Sequence, residues 1–457
     1  MNTIELMPSI RRALARRDFT ALNDILDDAP AADIAERFAR EPDDISTLFL
    51  KGIALKHCAE IFSYLPADKQ LRIAQELSDD ELARLFTEMD GDDSADVFNM
   101  FEPVRRESIL RRMAHKERED MLRLSSYEEG TAGSIMTSEY VSINERLTVS
   151  EALNKVRQTA PDAETIYQVY MLDDQQRLTG TMSLRQLILA DPLARLDSVM
   201  ISDVVSASSD MPQEDVARMI SHYDFLAIPI VNHDNKLVGI VTYDDAMDVV
   251  EKETTDDFHR AGSVGVLEQG LSSTSLFTLY RKRIVWLVLL VFGSLFSGAG
   301  IAHFQGLIEA QAALVIFLPL LIGSGGNAGS QAATLMVRGL GTGEVNIRDW
   351  TSLLGRELLI SCVLGITMAV AISPISYARG NFDVACAVAI SMVAIVMVGS
   401  LLGMSLPFLL NRFGLDPATA SGPLVSTLCD SCGVLVFFSV ASLFISAATG
   451  TPHVSCG

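Results

Sequence analysis

PLVSTLCDSCGV, residues 423–434, sets one carboxylate, Asp430, inside a run otherwise suited to lipid. Even on insertion scales a carboxylate at the centre of a spanning helix costs about 2.5–3.5 kcal/mol, so such residues face a bundle interior or a water path. If the segment is helical, Ser426 and Thr427 lie four and three residues before Asp430 and Gly433 three after it, all on one face. Small and hydroxylic neighbours leave room for a hydrated ion and let helices approach closely. The plainer alternative is a carboxylate hydrogen-bonded between helices. Cys429 and Cys432 bracket the aspartate, their thiols about 60° apart in helical projection. Apolar packing is the ordinary use of such thiols, and soft-metal binding the other reading.

Working outward, IGSGGNAGSQAATLMVRG (322–339) carries Gly323, Gly325, Gly326 and Gly329 within an apolar run. Glycines there permit close packing or backbone facing a cavity. Asn327 and Gln331, four apart, put two amides on one face. A dinucleotide-binding reading fails for want of a strand–turn–helix context. In GLDPATASGP (414–423), Asp416 before Pro417 fits a helix N-cap with proline at the first helical position, a structural role favoured over ion binding.

Hydropathy places five spans near 284–302, 312–337, 353–375, 384–410 and 418–448, each long enough for a bilayer core of about 30 Å. Arg281, Lys282 and Arg283 precede the first span. Arg338 and Arg348 lie between the second and third, with Arg356 in the first turn of the third, and Arg412 lies between the fourth and fifth. The alternate loops carry only Arg379. The positive-inside rule then predicts a cytoplasmic N-terminus and an outside tail, GTPHVSCG. No secretory signal opens the chain.

The net charge of −22 argues against nucleic acid and for cations. It is unevenly placed: only seven acids and five Lys/Arg follow Arg283, so the first 283 residues alone carry −20. Six scattered cysteines make no disulfide framework. Seven dispersed histidines give no zinc or triad pattern, and no enzyme is expected.

Residues 128–257 hold an internal repeat. VYMLDDQQRLTGTMSLRQL (169–187) matches IPIVNHDNKLVGIVTYDDA (228–246), and IMTSEYVS (135–142) matches VMISDVVS (199–206). Each copy reads strand–helix–strand–strand–helix, and the pair resembles tandem CBS domains. Residues 1–127 read as all-helical. Leu65, Leu77, Met89, Phe101 and Met113 close apolar stretches every twelve residues, which predicts short stacked helices in a superhelix. The linker EKETTDDFHRAGSVGVLEQGLSSTSLFTLYRKR begins acidic, passes through glycines and ends amphipathic and basic at the membrane. Acid runs in MDGDDSAD, in the second repeat and in this linker suit a solvated face, or hard divalent cations bridging separate domains.

Together these segments resemble the MgtE family of magnesium channels, most specifically through GSGGNAGSQ and DPATASGP…TLCDSCG. The resemblance implies a multidomain architecture: an acidic, all-α superhelical N domain (1–127), α/β tandem CBS repeats (128–193 and 194–257), a connecting plug helix (258–280) and a five-span α-helical pore domain (281–457). It implies a homodimer in the inner membrane with its pore on the two-fold axis. Asp430, Ser426 and Asn327 would hold hydrated Mg²⁺, supported by Gly326, Gly329, Gln331, Thr427, Gly433 and Asp416. Regulatory Mg²⁺ would fall on Asp92, Asp93, Asp96, Asp224, Asp245, Asp248, Glu253, Asp256 and Asp257. ATP would meet Thr242 and Asp245 of the second CBS copy, whereas the first has Gln186 where a nucleotide-binding copy has aspartate. Cys429 and Cys432 depart from the aliphatic or threonine residues usual in the family. Two rivals stand beside this reading: the same architecture carrying Co²⁺, Zn²⁺ or Mn²⁺, and a membrane-anchored CBS nucleotide sensor without a pore.

Overall fold

The computed structural model describes residues 3–27, 29–267 and 274–449. The tail 450–457, expected outside, and linker residues 268–273 lie outside that set. The chain divides into two compact units, residues 1–253 and 254–457, each described on its own.

The first unit opens with α1 (Thr3–Arg16), α2 (Phe19–Leu26), α3 (Ala31–Phe38), α4 (Asp43–Gly52) and α5 (Leu55–Ser63). It continues with α6 (Ala67–Glu76), α7 (Asp79–Glu88), α8 (Gly91–Asn99), α9 (Pro103–Leu110) and α10 (His115–Leu124). From α2 to α10 every helix begins twelve residues after the last. The period thus extends further towards the N-terminus than the apolar markers reveal, because positions 29, 41 and 53 are Ala, Glu and Ile rather than uniformly large apolar residues. Leu65, Leu77, Met89, Phe101 and Met113 are all buried. Helices pack on the next but one, α3 on α5, α5 on α7 and α7 on α9 in one row, with α4, α6, α8 and α10 in the other. Caps terminate the units: Ser78 accepts from the Glu81 amide at 3.3 Å while the Glu81 carboxylate accepts from the Ser78 amide at 2.7 Å. The fully buried Lys69 ammonium donates to the carbonyls of Phe38 and Glu41, closing the end of α3.

The repeat follows as β1 (Tyr140–Asn144), α11 (Val149–Thr159), β2 (Thr165–Leu172), β3 (Leu178–Ser183) and α12 (Leu184–Leu189). After the short α13 (Leu196–Val199) come β4 (Ala207–Ser208), α14 (Gln213–Tyr223), β5 (Ala227–Val231), β6 (Leu237–Thr242) and α15 (Tyr243–Ala261). Each copy makes a three-stranded sheet, its first pair parallel and its second antiparallel. The copies exchange edges reciprocally. Thr137, ahead of the first sheet, bridges Ile240 of the second, and Ile201, ahead of the second, bridges Thr181 of the first. Tyr170, Leu172 and Leu178 pack with Ala227, Val231, Leu237 and Ile240 in one shared apolar cluster. Neither sheet is complete without the other copy.

Helix α15 runs on from the first unit into the second. The expected connecting helix over 258–280 is helical only at its two ends among the described residues. α15 stops at Ala261, 262–267 is irregular, and helix resumes at Leu276. Gly262 and Gly265 flank Ser263, which adopts φ +56°, and this glycine-bearing run does not sustain a helix.

The second unit contains α16 (Leu276–His303), the short α17 (Gln305–Ala310), α18 (Ala313–Gly341), α19 (Trp350–Arg379), α20 (Phe382–Arg412) and α21 (Gly422–Thr449). Five of these, all but α17, are long and apolar enough to cross a membrane. α20 is the central helix, packed by α18, α19 and α21. Glycines make that packing close: a Cβ on Gly399 would lie 2.3 Å from the Gly325 carbonyl oxygen, and one on Gly403 2.0 Å from that of Gly329. The glycine-rich run of α18 is therefore continuous helix, with Gly325 and Gly329 spent on packing against α20.

Candidate cation sites

The intramembrane site is built on one stripe of α21. Gly422, Ser426 and Asp430 recur every four residues, and the first two face α18. The Ser330 hydroxyl lies 3.3 Å from that of Ser426 and donates to the Gly422 carbonyl at 3.4 Å. A Cβ at Gly326 would touch Ser426. Asp430 continues this stripe one turn further, half-buried, with no hydrogen bond or ion pair among the described residues. Asn327 and Gln331 are exposed on α18.

Not every expected neighbour shares that face. Thr427 donates to the Pro423 carbonyl at 2.9 Å and packs on Gly293 of α16. Ser431 meets Ser297 of α16 at 3.1 Å. Gly433 is buried against Ile322 and Ile395. Thr427 and Gly433 thus serve the close helix approach expected of small and hydroxylic neighbours, because α21 is surrounded by α16, α18 and α20. Cys429 is buried beside Val425 and Ala333, its thiol 3.9 Å from the Gly399 carbonyl. Gly329 lies against it too. It acts as a small apolar side chain.

Asp416 caps the turn ahead of α21, accepting from the Ala418 amide at 2.8 Å, as expected of an N-cap. Its other oxygen accepts a hydrogen bond from the Arg260 guanidinium, near the end of α15. Ser263 and Ser421, both buried, hydrogen-bond to each other alongside. The segment after α15 is thereby tied to the start of the helix that carries Asp430. Asp257 lies near Gly341 at the end of α18.

In the first unit, two helix starts bring acids together. Asp92 and Asp93 occupy the first turn of α8, Asp244 and Asp245 that of α15, with Asp248 one turn on. Glu164, immediately before β2, completes the group: Glu164, Asp244 and Asp245 each offer an oxygen, all within 4.8 Å of one another. One Glu164 oxygen is buried with no hydrogen-bond partner. Burial and then neighbouring carboxylates push these acids up. Asp93 rises to about 7, Glu164 to about 8, and Asp92 well above the ordinary range. Asp245 rises to about 6 through burial, against the hydrogen bond from Thr242. Crowded carboxylate oxygens, one of them unpartnered, suit a hard divalent cation.

The other expected regulatory acids stand apart. Asp96 is raised to about 6 by burial, opposed by Lys252. Asp224 ends α14 in a left-handed conformation, φ +53°, with its side chain exposed. Glu253 accepts from the Gln213 amide at 2.9 Å. Asp256 is part-buried one turn before Arg260 on α15. Glu164 escapes sequence reading because PDAETIYQ holds no run of acids, only Asp162 beside it, and only the sheet carries it to the acids of α8 and α15. Thr242 donates to Asp245 in the same way that the Ser183 hydroxyl donates to the Gln186 carbonyl oxygen at 3.0 Å. The Ser183 pair is a capping box on α12, where Ser183 also accepts from the Gln186 amide at 3.2 Å.

Family models match three stretches: a divalent cation transporter model (MgtE) over residues 318–440, the MgtE intracellular N domain over 29–130, and CBS domains over 132–192 and 196–252. The magnesium transporter MgtE of Thermus thermophilus is 39% identical over 97% of this chain and 99% of its own. That of Bacillus subtilis is 32% identical over 94% of each. Among solved structures, the cytosolic domain of the Mg²⁺ channel MgtE in complex with ATP is 35% identical, covers 53% of this chain and 98% of its own, and has a TM-score of 0.50. The soluble part of a magnesium transporter is 29% identical, covers 55% and 99%, and has a TM-score of 0.52.

Proposed function

From the premise that this chain belongs to the MgtE family of divalent cation transporters, we propose that it is a Mg²⁺ channel of the cell membrane, acting as a homodimer. The observation that carries the reading is Asp430, a carboxylate without a hydrogen bond or ion pair among the described residues, on the Gly422–Ser426 stripe of a spanning helix. Mg²⁺ sheds water reluctantly and is held by one or two carboxylates while keeping several waters. Two copies of Asp430 across a two-fold axis supply that, with the Ser426 carbonyl and Asn327 lining the path. Entry needs no ATP hydrolysis, since two charges falling through 100 mV gain roughly 4.6 kcal/mol. The N-terminus lies in the cytoplasm and the tail outside, and the domain limits are those drawn from the sequence, save that the connecting segment 258–280 is helical, among the described residues, only to Ala261 and from Leu276.

Cytosolic Mg²⁺ closes this channel. Without it, the acids of α8 repel those of α15 and Glu164; with it, the ion bridges them. Because α15 is continuous into the second unit, the bridged state favours the docked form in which Arg260 and Ser263 hold Asp416 and Ser421. Asp248, one turn on along α15, adds charge to this sensor, whereas Asp96, Asp224, Glu253, Asp256 and Asp257 stand apart from it and are not needed for the bridge. ATP at Thr242 and Asp245 is a second reading, carried by the relative solved with that nucleotide. Acids crowd Asp245, however, and oppose a triphosphate unless a cation accompanies it.

The deciding experiment is Mg²⁺ flux into liposomes from wild type and Asp430→Asn. A loss of at least tenfold in the mutant is expected, and unchanged flux would overturn the site. Competition by Co²⁺, Zn²⁺ and Mn²⁺, with Cys429→Val and Cys432→Val as controls, separates the other cations. A nucleotide sensor without a pore predicts no flux at all.

A further inference from the structure

We propose that the first turns of α16 form a binding surface for anionic phospholipid headgroups, with Arg281, Lys282 and Arg283 holding the phosphates and Val285 and Leu287, one turn further along the helix, seated at the hydrocarbon boundary. α16 has 28 residues, about 42 Å at 1.5 Å per residue, against a hydrocarbon core of about 30 Å. Its apolar run begins at Ile284, so the three consecutive bases before it stand at the headgroups. Val285 and Leu287, 67 and 51% exposed, follow them on the same faces, four residues after Arg281 and Arg283. None of the three bases has an ion-pair partner among the described residues.

The apolar side chains decide what kind of phosphate is bound. A free anion has no use for them, whereas a phospholipid presents a phosphate and, deeper, an acyl chain in the order in which this helix presents its bases and then Val285 and Leu287. Charge decides between lipids, because a zwitterionic headgroup gives three cations little net attraction. The surface also touches the segment proposed to gate the pore. The Gly265 amide donates to the Lys282 carbonyl at 3.0 Å, and a Cβ on Gly265 would meet the Lys282 side chain. Lipid held at Lys282 thus restrains the connecting segment. The proposal rests on the membrane reading of α16, and its test reads lipid contact rather than ion flux.

Trp286 lies three residues beyond Arg283, and with Trp350→Phe it becomes the single tryptophan of the chain. The full chain is placed in phosphatidylcholine vesicles holding a small fixed fraction of dibrominated phosphatidylglycerol or, in parallel, dibrominated phosphatidylcholine. Quenching of Trp286 by the anionic lipid should exceed that by the zwitterionic one at equal mole fraction. R281Q/K282Q/R283Q should abolish the excess, while R281K/R283K keeps it. At about fivefold preference per base, three bases supply up to roughly a hundredfold. Equal quenching in the unaltered segment, or an excess that survives the triple substitution, overturns the proposal. So does an excess that inorganic phosphate removes at matched ionic strength, which assigns the site to the free anion. Should the triple variant fail to fold, R281Q and R283Q singly are each expected to remove part of the excess.

Discussion

Arg260 donates to the same carboxylate, Asp416, that caps the turn opening α21. One oxygen serves the backbone of the turn ahead of α21 and the other the segment arriving from α15. The two jobs can be separated by substitution. Asp416→Asn keeps a good cap and loses the charge; Asp416→Ala loses both. Because the pair is about one-third exposed, its own contribution is at most about 1 kcal/mol. Arg260→Gln and Asp416→Asn should each raise the cytosolic Mg²⁺ needed for half-inhibition by up to about fivefold, with no further rise in the double variant. Additive effects in liposome flux would show that the residues act separately. Asp416→Ala should also lose about 1 kcal/mol of stability.

Glu164 makes a prediction about the sensor. Glu164→Gln keeps shape and removes one charge from the oxygens shared with Asp244 and Asp245. Half-inhibition by cytosolic Mg²⁺ should move up about three- to tenfold, while flux at low Mg²⁺ stays as in wild type. A Mg²⁺ titration of flux reads this directly, and an unmoved midpoint would remove Glu164 from the site.

The pH dependence of stability follows from the same acids. Asp93, Glu164 and Asp245 have folded-state values raised to about 7, 8 and 6, above the ordinary carboxylate range. Between about pH 4 and 8 the folded chain therefore holds more protons than the unfolded one, and stability falls as pH rises. With EDTA present, Tm should drop from pH 5.5 to 8. Mg²⁺ should restore it, by more at pH 8 than at 5.5, because deprotonated carboxylates are the ones that bind. Thermal melts at four pH values with and without Mg²⁺ test the sign.

Lys69 tests the N domain. Its ammonium closes α3 through two carbonyls, and burial depresses its pKa. Lys69→Met leaves both carbonyls without that donor and should cost about 1–3 kcal/mol. Chemical denaturation followed by circular dichroism measures it; no change would mean that water replaces the ammonium.

Gly403→Ala should prevent α18 and α20 from closing, since its Cβ would fall 2.0 Å from the Gly329 carbonyl oxygen. Gly323→Ala, where a Cβ meets nothing within 4 Å, should behave as wild type. Size-exclusion profiles and flux of the two variants give the comparison.

Much of the fold was legible because it is written in local periodicity. The five spans follow from hydropathy over about twenty residues, the CBS pair from a repeat, and the helical rows from a twelve-residue spacing. Asp430 was legible for a related reason, since a charge in an apolar run stands out against its neighbours. Its face was legible only in part. The spacing that put Thr427 and Gly433 beside it was sound, yet which neighbouring helix each meets depends on how α16, α18 and α20 surround α21.

The sequence by itself determined the elements, their order and the one carboxylate within α21, because each is a property of a contiguous stretch. Only the tertiary structure decided that Glu164 joins Asp244 and Asp245, that Arg260 reaches Asp416, and that Cys429 is packing. These pairings span from 30 to 156 residues and are selected by the packing of whole helices and sheets, which no local pattern encodes.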